Sequence, residues 1–224
     1  RISWAKALMA VTCIKIAVVS DFACPWCHIG NARLKSAIEN FKASNSDATI
    51  EVESIPYMID PATNSKGEDY MAYNVRRWGG DGWVAGMKRN ASKDGIFYSN
   101  WKTWPNSLNA HRLMELAKKC GKDQMVKDLI FEAIYEKGEN ASDFDCLISI
   151  GSRAGMERDV VNDYLSRKEG EKEVLDKNNF ARSKMNVSGV PCYILSRDDK
   201  TGGKRILRGA VPSNDITQAL ESLL

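Results

Sequence analysis

Two cysteines separated by two residues, Cys24-Pro25-Trp26-Cys27, carry the strongest chemical signal in this sequence. They follow a β-branched run over 14–19 and precede Leu34, Ala37, Ile38 and Phe41 at helical spacing. Pro25 suits the first helical position, where its missing N–H is no loss. The pattern predicts a strand over 14–19, then a helix to about Phe41 with the cysteine pair on its first turn. A helix N-terminus presents unpaired N–H groups and about half a positive charge, which favours a thiolate. One turn later the second sulfur comes back toward the first, close enough to bridge. Cys24 is then the attacking thiol, and a lowered pKa also makes it a better leaving group in exchange. Cys27, further into the helix, resolves. Two other readings compete: half of a structural zinc site, or a pair of inert core residues. The zinc reading lacks a second CxxC and a Cys/His pair at finger spacing.

The surrounding pattern supplies the elements that must position the pair. A second strand over 49–55 alternates and stops at Pro56. From Glu68 to about Lys184 the periodicity is helical, punctuated by Gly79-Gly80, Gly121, Gly138, Gly155 and Gly170, and predicts five or six helices. One spans 107–120 and ends at Gly121, with Asn106 as its cap; the next spans 123–137. Ser142 and Asp145 resemble a capping box opening another. Trp78, Trp83, Trp101 and Trp104, with Phe97 and Tyr98, fill this helical core or line a cleft. Strands return over 192–195 and 205–208 around a polar turn at 198–203, which reads as a hairpin. Pro212 begins a last amphipathic helix through Ile216, Leu220 and Leu223. Val190-Pro191, directly before the hairpin, is a candidate cis peptide bond, and its pairing with a CxxC strengthens that expectation.

Composition narrows the class. The chain has 224 residues, 43% hydrophobic and 27% charged, enough for a sizeable core in one large domain or a domain with an insert. The 32 basic and 29 acidic residues are interleaved and leave a net +3, with no basic stripe of the kind a nucleic-acid binder carries. No run reaches the ~18 apolar residues of a membrane span, and the apolar content argues against disorder. Of the six cysteines (Cys13, Cys24, Cys27, Cys120, Cys146, Cys192) only one pair is close, unlike a secreted disulfide scaffold. The N-terminus loosely imitates a signal peptide, but its apolar stretch is short and runs through Lys15 into the first strand. The expected compartment is the cytoplasm. Because the chain opens on Arg1, residues 1–8 read as an addition ahead of a natural start at Met9.

Taken together, Ser20-Asp21, the Cys24–Cys27 motif, Ala110-His111-Arg112-Leu113, Ser188-Gly189-Val190-Pro191, Gly209-Ala210 and the proline-started helix resemble the DsbA-like thioredoxin-fold oxidoreductases. Within these the chain is most similar to the FrnE branch, related to 2-hydroxychromene-2-carboxylate isomerases and kappa-class glutathione transferases. The resemblance covers nearly everything from Ile14 to Leu224. It implies an α/β class, a thioredoxin fold with an all-helical domain inserted between the βαβ and ββα halves. The corresponding units are 14–62, 63–170 and 171–224.

For the site, the resemblance implies that Cys24 and Cys27 are catalytic. Pro25, Trp26, Val190, Pro191 and His111 would contact the substrate, with Val190's backbone pairing with a bound peptide or glutathione as an added strand. Isomerase and transferase relatives carry serine at the first cysteine position, so Cys24 favours dithiol exchange over isomerisation. The implied function is thiol–disulfide exchange with protein or small-molecule partners. Glutathione is a candidate redox partner, and no metal, nucleotide or flavin is implied. The alternatives are a glutathione-dependent isomerase or transferase of small aromatic compounds, and a zinc-binding module without catalysis. Cys192 departs from the family pattern, and a buried structural role is favoured over a third redox thiol. His28 is either a cation beside the thiolate or a solvated residue on the helix flank. His111 either faces the cleft or is a hydrogen-bonded structural histidine.

Overall fold

The computed structural model describes residues 12–224; the start expected at Met9 lies outside them. Strand β1 (Cys13–Ser20) leads into helix α1 (Pro25–Ser44), and the chain returns through β2 (Thr49–Pro56). β1 and β2 pair in parallel, Ile16 opposite Val52, which requires a crossover such as α1 provides. After a long helical excursion, β5 (Cys192–Arg197) pairs antiparallel with β1, and β6 (Lys204–Arg208) with β5. The sheet order is therefore β2-β1-β5-β6. Helix α9 (Ser213–Glu221) closes the chain and packs beside α1. Ile14, Ile16 and Val18 of β1 share one apolar cluster with Leu34, Ala37 and Phe41 of α1 and Ile216 and Leu220 of α9. This is the mixed sheet and helix arrangement of a thioredoxin fold, with helices inserted between its halves.

The helical stretch over 68–184 holds seven α-helices among the described residues, more than the five or six expected. They are α2 (Tyr70–Trp78), α3 (Val84–Ala91), α4 (Leu108–Lys119), α5 (Asp123–Glu132), α6 (Phe144–Arg153), α7 (Arg158–Ser166) and α8 (Glu171–Ser183). A two-residue bridge joins β3 (Glu68–Asp69) to β4 (Thr103–Trp104). The helix expected over 123–137 does not continue as one α-helix. α5 gives way to a wider π turn over Ala133–Lys137, where the Tyr135 carbonyl also accepts from the Asn100 amide. Gly138 follows at φ 69°, close against the Asn100 carbonyl, where a side chain would not fit. The capping box expected at Ser142 does not form. Asp143 is the N-cap of α6 without a side-chain bond, because the Ser142 hydroxyl accepts instead from the Asn106 amide at 2.8 Å. Asn106 does act as a cap, its Oδ1 accepting from the Leu108 amide at 3.1 Å.

Arg112, on α4, is buried, and its guanidinium donates to the Tyr164, Leu165 and Glu169 carbonyls. It thus satisfies the C-terminal carbonyls of α7, where a helix leaves acceptors unpaired and favours a cation. α8 packs on both β2 and α4, joining the insert to the sheet. Among the described residues no helix is long and apolar enough to cross a membrane.

Gly30 shows how tightly the two halves meet. It faces the Tyr193 hydroxyl, and a Cβ there would lie 2.9 Å from Pro191 Cγ. In an isolated helix Gly→Ala would stabilise by about 1 kcal/mol. Here the overpacking term, about 1–3 kcal/mol, should exceed it. Gly30→Ala is expected to lower the urea midpoint. Tyr193→Phe should largely restore it, since the buried Tyr193 hydroxyl has no partner to lose. A Gly30→Ala protein as stable as the parent would show that the contact gives way freely.

Candidate active site

Cys24 stands at the N-cap of α1, in extended backbone, with its amide donating to the Asp21 carbonyl at 3.2 Å. No acidic side chain occupies the first turn of α1, so no carboxylate competes with sulfur for its exposed N–H groups. The Cys24 thiol donates to the Val190 carbonyl at 3.7 Å. Cys27 lies one turn on, and its Sγ accepts from the Asp21 amide at 3.4 Å. Both are free thiols. Cys24 opens on a cleft of about 610 Å³, whereas Cys27 does not line it. Burial pushes the Cys27 thiol pKa well up, reinforced by its hydrogen bond to Cys24 and by charge on that sulfur. The inner sulfur therefore holds its proton while the outer one faces the cleft.

The backbone around the pair is fixed from both sides. The Tyr98 hydroxyl donates to the Pro25 carbonyl at 2.7 Å, and the Tyr135 hydroxyl to the Phe22 carbonyl at 3.0 Å. Asp21 is buried at 1% exposure, and its carboxylate accepts from the Ala23 amide at 3.1 Å and the Ile59 amide at 2.7 Å. These bonds tie the end of β1 to the segment after β2. Sequence reasoning quoted Asp21 in its motif and gave it no role; an acidic residue directly between a strand and a CxxC was the available signal.

Of the residues expected to contact substrate, Pro25, Trp26 and Val190 line the cleft beside Cys24. Pro191, joined to Val190 by a cis peptide bond, is buried behind it against Gly30. His111 is a correction. It does not line the cleft but lies buried, its Nε2 3.2 Å from the Tyr57 carbonyl and 3.4 Å from Asp21 Oδ1. Its ring packs on Phe22 with centroids 4.9 Å apart, the structural arrangement of the two considered. Cys192 is buried and its thiol pKa is raised by that burial, in keeping with the structural role favoured for it. Trp78, Trp83 and Trp104 line the cleft, Trp101 and Tyr98 are buried, and Phe97 is exposed. Tyr57, Arg77 and Arg182 also form part of the wall, and the sequence had not singled them out.

His28 follows neither of its expected roles. Its ring stacks on Phe131 and Tyr135, centroids 5.0 and 5.5 Å away, and among the described residues its Nδ1 has no partner. Burial lowers its pKa from the usual 6.5 to about 4, so it is neutral near pH 7 and not a cation for the thiolate. Between about pH 6.5 and 4 the unfolded chain binds a proton that the folded chain refuses, so this contribution to stability falls as pH drops. The loss should be on the order of 2 kcal/mol by pH 4.5. Urea unfolding of the parent and His28→Phe across pH 7.5 to 4.5 checks it. The parent should lose more stability on acidification than the variant, and parallel curves would show that His28 titrates normally.

A family model described as the DSBA-like thioredoxin domain matches residues 15–221. The curated relative YwbO of Bacillus subtilis, itself described as uncharacterized, is 21% identical over 216 residues, 92% of this chain and 96% of that one. Among solved structures, the probable DsbA oxidoreductase SCO1869 of Streptomyces coelicolor is similar at TM-score 0.78 and 22% identity, covering 93% of this chain and 89% of that one. The cytosolic disulfide reductase DsbM of Pseudomonas aeruginosa is similar at TM-score 0.61 and 14% identity, covering 93% and 94%. DsbM has also been solved with GSH, in a form similar at TM-score 0.55 and 14% identity over 93% of this chain and 95% of that one. With the family model spanning sheet, insert and CxxC alike, the chain belongs to the DsbA-like thioredoxin domain family.

Proposed function

We propose that the protein is a thiol–disulfide oxidoreductase acting through Cys24 and Cys27. The observation that carries this reading is the asymmetry of the pair. Cys24 lines the cleft at the N-cap of α1, while buried Cys27 keeps its proton one turn behind. In the reducing direction the Cys24 thiolate attacks a substrate disulfide, forming a mixed disulfide and releasing one substrate thiol. Cys27 gives up its proton and attacks Cys24 Sγ, which releases the second substrate thiol and leaves a Cys24–Cys27 disulfide. The oxidising direction is the reverse. Pro25, Trp26 and the Val190 backbone, which line the cleft, would hold the chain that carries the reacting sulfur. Pro191 would support Val190 from behind.

This exchange uses no metal, nucleotide or flavin. A zinc module would need further ligands beside the pair, and among the described residues no cluster of three or more His, Cys, Asp or Glu is placed to hold an ion. The cytosolic neighbour DsbM and its GSH-bound form favour a cytoplasmic setting with glutathione as one redox partner. Protein or small-molecule disulfides are the substrates.

Cys24→Ser should abolish turnover of disulfides with its fold intact by circular dichroism; retained insulin-reduction activity would sink the assignment. Cys27→Ser should accumulate mixed disulfides, seen as a mass increase that dithiothreitol removes. In the reduced parent, brief iodoacetamide treatment at pH 7 should label Cys24 well before Cys27. Equal labelling of both would contradict the assigned order of attack.

A further inference from the structure

Among the described residues, two guanidinium groups on the cleft wall have no carboxylate partner. Arg76 pairs with Asp60 and Glu68, but its neighbour Arg77 forms no ion pair and lies over the Trp78 ring at 4.6 Å. Arg182 lies over the Tyr57 ring at 4.1 Å. It donates to the Met58 carbonyl and, at 3.4 Å, to Asn178 Oδ1, both neutral acceptors. Arg182 is thus held in place with its charge uncompensated. Trp104 is a further lining residue: it is 1% exposed, and among the described residues its buried indole N–H has no hydrogen-bond partner. A buried donor left unpaired costs about 1–3 kcal/mol, which a ligand acceptor would recover. The lining includes no aspartate or glutamate. The cleft wall therefore carries two cations, Arg182 held by its neutral acceptors and Arg77 exposed beside Trp78, with one buried unpaired donor and aromatic faces, and its lining residues supply no anion to repel a negatively charged ligand.

We propose that Arg77, Arg182 and the Trp104 indole N–H select disulfide substrates that carry a carboxylate close to the reacting sulfur. This rests on the thiol–disulfide reading above and names the substrate class for that cleft. Arginine suits the task, because its planar fork accepts a carboxylate in a two-pronged geometry while stacking on an aromatic ring. The carboxylate could belong to a small acidic thiol or to an acidic segment of a protein, and the chemistry recognised is the same.

The test measures kcat/KM for two matched pairs of probes. One pair is glutathione disulfide and its carboxyl-esterified form; the other is a peptide disulfide flanked by Glu and its Gln counterpart. Bis(2-hydroxyethyl) disulfide serves as a small uncharged control. The parent should prefer the acidic member of at least one pair by about tenfold, mainly through KM, and lose that preference at high salt. Preference within the glutathione pair alone points to a small thiol, and within the peptide pair alone to a protein segment; either supports the inference. Arg77→Gln and Arg182→Gln should each cut the acidic-to-neutral ratio about three- to fivefold. Arg182→Lys should keep much of it, which separates charge from a loss of local structure. Trp104→Phe, which preserves the ring stacked on Tyr73, should lower the ratio without changing its salt dependence. A parent that turns over every probe with no acid preference overturns this inference alone. A parent that turns over none of them, the uncharged control included, overturns the thiol–disulfide reading as well.

Discussion

A carboxylate taken out of water loses several kcal/mol of solvation, and it stays buried only where donors replace the lost water. Asp21 meets that demand with the Ala23 and Ile59 amides, and the site is assembled around the requirement. The Ala23 bond shapes the turn that delivers Cys24 to the N-cap of α1. The Ile59 bond draws the segment after β2 over the end of β1, and the same segment brings Tyr57 and Ile59 to the cleft wall. The Asp21 amide points the other way, to Cys27 Sγ. One residue thereby fixes the turn before the motif, one wall of the cleft and the position of the inner sulfur.

The insert supplies what the sheet lacks. Two tyrosines, Tyr98 and Tyr135, reach from it to carbonyls within and just before the motif, and Phe131 and Tyr135 cover the face of His28. Trp83 and Trp104 come from the insert as well, whereas Val190 comes from the approach to β5. Apolar walls around a thiol exclude water and leave only a few polar groups facing the cleft.

The strands, the hairpin and the motif were legible because β-branched runs and a CxxC leave strong local marks. β1 extends one residue beyond the expected strand at each end, and α1 passes Phe41 by one turn. The insert was less legible. Its first two helices are nine and eight residues long, too short for periodicity to separate them from the glycine-rich stretch between. Ser142 and Asp145 had the right spacing for a capping box, but Ser142 was claimed by Asn106, a distant partner that no local window includes. The surroundings of the two histidines were hidden for the same kind of reason. His28 is governed by rings about a hundred positions away, and His111 by Tyr57 and Asp21. Asp21 was visible as a residue and not as a role, because its role consists of bonds to backbone on two different segments.

Phe22, Cys24, Cys27 and Ile29 belong to the apolar cluster of the insert, while the lower part of α1 belongs to that of the sheet. The cysteine pair is therefore embedded in the packing of α4 and α5. In a thermodynamic box linking the reduced and oxidised chains, folded and unfolded, the four free energies must close. Any stability that the insert gains or loses when the two sulfurs join reappears, with equal size, as a displacement of the couple's potential from that of the unfolded dithiol. At about 30 mV for each 1.4 kcal/mol, a repacking between α5 and α1 that favoured the joined sulfurs over the separate thiols by that much would move such a potential while no atom of the motif itself changed.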